Sequence, residues 1–156
     1  MHHPLELSLS VLQEKGKTRF DGTVQPEAFQ ETLGNLAKLL GPLTVGFDAM
    51  LEDGAVLIKG RAAGKWELEC CRCLTRKAFD CDVKIETVIE EPPPTIDALE
   101  EIRQILLLAV PTQSYCRPDC RGLCPQCGTN RNEKDCGCII VPPSRFKITK
   151  RGKTDA

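Results

Sequence analysis

Ten cysteines carry most of the chemical potential of this 156-residue chain. They stand at positions 70, 71, 73, 81, 116, 120, 124, 127, 136 and 138, and none lies in the first 69 residues. Two thiolates separated by two residues can grip one ion from a tight turn, and four thiolates complete a tetrahedral zinc site. Cys124-Pro125-Gln126-Cys127 has that spacing, and Gly128 after it can adopt positive φ at no steric cost. The nearest further pair is Cys136 and Cys138, so Cys124, Cys127, Cys136 and Cys138 are expected to close one local site. Cys70 and Cys73 share the two-residue gap, and Cys116 and Cys120 have a three-residue gap still within zinc usage. These four are expected to form a second site, closing a long loop back onto the body of the protein. An exchange of partners stays open, because Cys116 and Cys120 also lie near Cys124 and Cys127 in sequence.

The expected cofactors are therefore two structural zinc ions. Closed four-thiolate sites leave no position for water or substrate, which argues against catalytic zinc. An iron–sulfur cluster could use the same thiolates and is the other metal reading. A thioredoxin-like motif requires a helix N-terminus after a strand, whereas Cys70 enters a turn between strands. Cys81 alternates with Phe79 and Val83 on an apolar face and reads as a buried thiol. Cys71, next to Cys70, falls outside the two-residue spacing and reads as a non-ligand.

Other catalytic arrangements are missing. His2 and His3 are the only histidines, which removes most acid–base and nucleophile pairings. No Gly-rich phosphate loop occurs. Glu90-Glu91 and Glu100-Glu101 read as solvated charge. No enzyme and no small-molecule substrate is expected.

Composition is that of a soluble domain: 41% hydrophobic and 28% charged, with a net charge of −1. Residues 1–16 show no basic segment followed by an apolar run, so no secretory leader is expected. The longest apolar run, residues 105–110, is too short to span a membrane. The expectation is a cytoplasmic protein whose clustered thiols are reduced and metal-bound, with no membrane partner.

The elements that must position the cysteines follow from periodicity. Leu5, Leu7, Leu9 and Val11 alternate and suggest a strand, and Thr18, Phe20 and Val24 a second. Phe29, Leu33, Leu36, Ala37 and Leu40 recur at helical spacing, predicting a helix over residues 25–40. Leu43 to Leu51 alternate without a break, and Asp53-Gly54 marks a hairpin. Val56 and Ile58 continue the return toward Gly60 and Gly64, and Trp66, Leu68 and Cys70 alternate again. Phe79 to Ile89 occupy one face of a long strand, which Pro92-Pro93-Pro94 ends. Asp97 caps a helix carrying Leu99, Ile102, Ile105, Leu106 and Ala109, and Pro111 stops it. The sum is an α+β fold: a mainly antiparallel sheet of about six strands, two helices and a C-terminal cysteine-rich zinc module.

The expected organisation is a sheet domain over residues 1–115, a zinc module over 116–140 packed on it, and a flexible basic tail over 141–156. Charge divides at the same place. Residues 1–115 hold 12 basic and 18 acidic side chains, and residues 116–156 hold 9 and 4. Candidate phosphate contacts are Arg117, Arg121, Arg131, Arg145, Lys147, Lys150, Arg151 and Lys153. Phe146 is the only aromatic after Tyr115, so phosphate contact is favoured over base stacking.

The run from Cys116 to Cys138, with Cys120, Cys124, Cys127, Asn130, Asn132 and Cys136 inside it, resembles the C-terminal signature of the YceD family. Cys70-Cys71-Arg72-Cys73 resembles that family's upstream cysteine turn, and Leu106 to Pro111 its apolar helix end. Arg131 stands where the family pattern has Leu, and Cys71 is an extra cysteine. The resemblance spans residues 66–138. It implies a bacterial-type, non-enzymatic role in large ribosomal RNA subunit accumulation, with ribosomal RNA or a large-subunit ribosomal protein as partner. The alternative is a zinc-stapled adaptor whose acidic sheet domain binds a basic protein.

Overall fold

A computed structural model describes residues 5–140. The chain folds as α+β, with a mostly antiparallel sheet, three helices and the cysteine clusters towards its C-terminal end. Strand β1 (Glu6–Ser8) leads into helix α1 (Leu9–Lys15), and β2 (Lys17–Val24) into α2 (Glu27–Leu33). Then come β3 (Lys38–Leu39), β4 (Leu43–Glu52), β5 (Ala55–Glu69), β6 (Arg76–Ile89), β7 (Thr95–Asp97) and α3 (Ala98–Ala109). The main sheet is built around β5, whose 15 residues pair antiparallel with β4 and then β3 along one edge and with β6 along the other. Strand β2 extends the sheet beyond β4, and β1 and β7 form a separate antiparallel pair.

Alternation decides which face of the sheet is covered. Val45, Phe47, Val56, Ile58, Ala62, Trp66, Leu68, Val83 and Ile85 point to one side and are buried with Phe29 of α2 and Leu99, Ile102 and Leu106 of α3. The opposite side is charged and open, with pairs such as Lys17–Asp48 and Arg61–Asp82, both at 3.3 Å. Such exposed pairs contribute little stability and mainly keep this face in water. Gly60 of β5 faces Phe47 of β4. A Cβ there would lie 2.1 Å from the Gly46 carbonyl oxygen and 2.5 Å from Phe47 Cα, so only glycine fits.

Two sequence expectations are corrected in detail. The alternation from Leu5 to Val11 gives only the three-residue β1 before the chain turns into α1. Leu5 and Leu12 are buried and Val11 is exposed. Gly16, with φ of 72°, donates its N–H to Leu12 O and ends the helix. The helix expected over residues 25–40 stops at Leu33, because Gly34 takes φ of 52°. Beyond it Ala37 and Leu39 point inwards and Leu36 and Leu40 outwards, since Leu39 is drawn into β3 opposite Trp66. The capping of α3 is as expected: Asp97 Oδ1 accepts from the N–H of Leu99 at 2.9 Å and of Glu100 at 3.4 Å.

Candidate metal centres

Strand β5 ends at Glu69 and β6 begins at Arg76, and the six residues between them form a knuckle. Cys70 N–H donates to Thr75 O, and Leu74 N–H returns to Cys70 O, both at 2.9 Å. This closed loop aims the Cys70 and Cys73 sulfurs to the same side. Leu74 completes it at φ of 60°, a conformation unusual for a residue with a Cβ. The turn recurs at residues 124–129. Cys124 N–H donates to Thr129 O and Gly128 N–H to Cys124 O, both at 2.8 Å, with Gly128 at φ of 73°. The shared text is Cys-x-x-Cys-x-Thr, 54 positions apart. This internal likeness is visible in the sequence and is missed when only cysteine spacing is read.

Each knuckle collects a different second pair. Cys70, Cys73, Cys116 and Cys120 bring their sulfurs within 4.8 Å of one another, and so do Cys124, Cys127, Cys136 and Cys138. The expected partition of the eight cysteines is the one the fold assembles. Four thiolates about 2.3 Å from a central ion would stand about 3.8 Å apart. The Cys70–Cys120 and Cys73–Cys116 separations are 3.8 and 3.6 Å. In the first cluster these separations fit a single tetrahedral ion.

Local N–H and O–H groups prepare some thiols for the thiolate form. Burial raises the Cys70 thiol, but the backbone groups of Cys116, Cys73 and Arg72 outweigh it and bring it down to about 6. The Thr129 hydroxyl, 3.2 Å from Cys127 Sγ, leads the groups that lower Cys127 to about 6. Burial raises Cys116, and its sulfur neighbours add to that, to about 12. Cys138 is pushed up to about 12 chiefly by Cys127 and Cys136. Crowding four sulfurs without a cation thus loads protons onto some of them, and a bound dication would reverse that.

The remaining cysteines lie elsewhere. Cys71 Sγ accepts from Ser114 N–H at 3.3 Å, turned away from both clusters. Cys81 is buried in the sheet core, and that burial, together with the Asp82 charge, pushes its thiol up to about 11.

The candidate phosphate contacts are distributed unevenly. Arg121 is exposed and Arg131 half-buried. Arg117 is already engaged, donating to Asn132 Oδ1 at 2.9 Å and lying 3.5 Å from Asp119. Arg145, Lys147, Lys150, Arg151 and Lys153 lie outside the described residues. The fold adds a feature that reading along the chain did not find. Trp66, Phe79 and Tyr115 line a cleft of about 420 Å³ with Pro111 and Pro118, and the Arg72 guanidinium lies 4.6 Å above the Tyr115 ring. No helix among the described residues is long and apolar enough to cross a membrane.

Two knuckle turns, each in a four-thiolate cluster beside an antiparallel sheet, define an α+β protein with two candidate metal centres. Residues 82–148 match the family model described as Large ribosomal RNA subunit accumulation protein YceD, which bears out the resemblance of the cysteine run. The chain is similar to Large ribosomal RNA subunit accumulation protein YCED homolog 1, chloroplastic, of Arabidopsis thaliana. Identity there is 24% over 148 residues, covering 86% of this chain and 44% of the relative. It is also similar to uncharacterized proteins of Mycobacterium tuberculosis and Mycobacterium bovis, at 32% identity over 90 residues, 47% of this chain and 44% of each relative. The chain thus spans less than half the length of these relatives. No solved structure matches.

Proposed function

We propose that this chain is a non-enzymatic ribosome-biogenesis factor that supports accumulation of large-subunit ribosomal RNA. It would act by contacting that RNA or a ribosomal protein. The observation that carries the proposal is the match of residues 82–148 to a family named for that role, a segment that includes six of the eight clustered cysteines. In this reading both clusters hold zinc as closed structural sites. Residues 1–115 serve as the scaffold, 116–140 as the metal module and 141–156 as a basic arm. Five of the eight candidate phosphate contacts lie in that arm. Phosphate contact by Lys and Arg predicts binding that falls steeply with salt.

The acidic excess of residues 1–115 favours a second reading, a zinc-stapled adaptor for a basic protein. The deciding experiment removes the protein from cells and measures large-subunit ribosomal RNA and subunit profiles. Reduced large-subunit RNA supports the proposal, and normal profiles overturn it. Binding of ribosomal RNA by the full chain and by residues 1–140 then separates the readings. RNA contact through the arm is lost on truncation, whereas adaptor binding to a ribosomal protein persists.

A further inference from the structure

Between Cys120 and Cys124 only Arg121, Gly122 and Leu123 separate the two clusters, and both knuckles hold this linker. From the first, the Arg72 carbonyl accepts Leu123 N–H at 2.9 Å, and Arg72 Nη1 donates to Cys120 O at 3.1 Å. Gly122 lies against the same carbonyl; a Cβ there would approach its oxygen to 2.9 Å. From the second, Arg131 N–H donates to Gly122 O at 2.9 Å, and Leu123 bridges to Asn130.

Asn132 completes the connection. It lies in the loop between Cys127 and Cys136, which the second cluster closes. Its Oδ1 accepts Arg121 N–H at 2.8 Å, and its Nδ2 donates to Cys120 Sγ, in the first cluster, at 3.3 Å. Asn130 Oδ1 holds it in place, accepting from both Asn132 N–H at 3.1 Å and Nδ2 at 2.9 Å.

We propose that Asn132 is a positioning residue that couples the two metal centres. The proposal rests on the reading that both clusters bind metal. An ion held by Cys124, Cys127, Cys136 and Cys138 closes the loop that aims the Asn132 amide at the Cys120 thiolate. A hydrogen bond from a neutral N–H stabilises the ligated, charged form of that sulfur. With the second centre empty, the loop loses its closure and the donor is no longer held in place. With the first centre empty, no ion fixes Cys120 or the linker beside it, so the loop loses a held partner in turn. Linkage requires the two effects to be equal: each ion raises the affinity for the other by the same factor.

The test is zinc and cobalt titration of the full chain under reducing conditions, with chelator competition. Cys73→Ser isolates the second centre, and Cys127→Ser isolates the first. Each centre should bind roughly 10-fold or more weakly when the other is disabled, and by the same factor in both directions. Asn132→Ala should weaken the first centre by about 10- to 100-fold, as loss of an outer-shell partner does, and remove most of the coupling. Asn132→Asp keeps the acceptor for Arg121 N–H but places a carboxylate against the thiolate, and should weaken the first centre further. Circular dichroism of both variants checks that the sheet is retained. Metal binding with independent affinities, or unchanged by both Asn132 variants, overturns the coupling and leaves the metal reading standing. Failure of the wild-type chain to bind metal overturns both.

Discussion

Residues 70–75 and 124–129 make the same turn, hydrogen bond for hydrogen bond, but the first is continuous with the sheet and the second is not. In the first centre Cys70, Cys73 and Cys120 are 0%, 5% and 4% exposed, and together they form a small core of their own. Ser114 Oγ bonds to Glu69 O, Lys77 Nζ to Cys116 O, and Arg72 covers Tyr115, so the surroundings of this knuckle come from several elements. In the second centre Cys127 is exposed and Cys136 and Cys138 are half-covered. Its supports are local, such as Gln126 Nε2 to Ile139 O at 2.8 Å. An identical turn therefore delivers a staple of the whole domain in one place and a self-contained loop in the other. Burial and attachment, rather than turn geometry, would set what a bound ion is worth to the fold.

The sharpest way to break this comparison is to remove one ligand from each centre. Cys73→Ser should destabilise the whole domain by about 3–5 kcal/mol, because it empties a site that closes a long loop onto the sheet. Cys127→Ser should cost about 1–2 kcal/mol, transmitted through the shared linker and Asn132. Thermal unfolding followed by fluorescence of Trp66, the single tryptophan, reads the sheet directly. Equal losses would show that attachment to the sheet does not matter.

Cys81 separates burial from ligation, since it is a buried thiol outside both centres. Its thiol is held neutral up to about 11 in the fold against an ordinary 9.0. Its contribution is complete below pH 9 and is lost as the pH rises through 11, because the unfolded chain gives up the proton first. The expected loss is about 2–3 kcal/mol, measured by denaturant unfolding of the metal-loaded protein between pH 8.5 and 11. Cys81→Ala should flatten that slope and leave metal content unchanged.

The smallest effect concerns the fifth position of the two turns. Leu74 holds a left-handed conformation that Gly128 adopts without strain. Leu74 is largely exposed, so Leu74→Gly gives up little packing. It should stabilise the first knuckle by up to about 1 kcal/mol, seen as tighter zinc in chelator competition. A weaker site would mean that the leucine side chain contributes more than its strain costs.

Much of this arrangement was legible in the sequence, where a residue type and its spacing meet one physical demand. Two-residue gaps between cysteines specified the knuckles, and the alternation through Phe79, Cys81, Val83 and Ile85 specified a strand and its buried face. Asp97 declared the start of α3. The errors fell where two periods fit the same residues. Leu36 and Leu40 extend the helical stripe of α2, but Gly34 breaks the helix and pairing with β5 imposes a period of two. The contact of Asn132 with Cys120 was not legible, because residue type and spacing do not say where a loop amide points, and the aromatic cleft was not because it gathers residues far apart in the chain.

The fusion of the first knuckle to the β5–β6 hairpin would give a bound ion a further task, that of a reading frame. Fourteen residue pairs, from Val56 with Ile89 to Glu69 with Arg76, share one register. A slip by a single residue would turn Trp66 and Leu68 to the solvent side. Cys71 would then stand where Cys70 stands, offering a sulfur to the wrong phase. In the native register that spare thiol accepts from Ser114 N–H, and of the turn's three cysteines Cys70 and Cys73 reach the site. An ion bound there would favour the native phase of the longest strand pair over the neighbouring one.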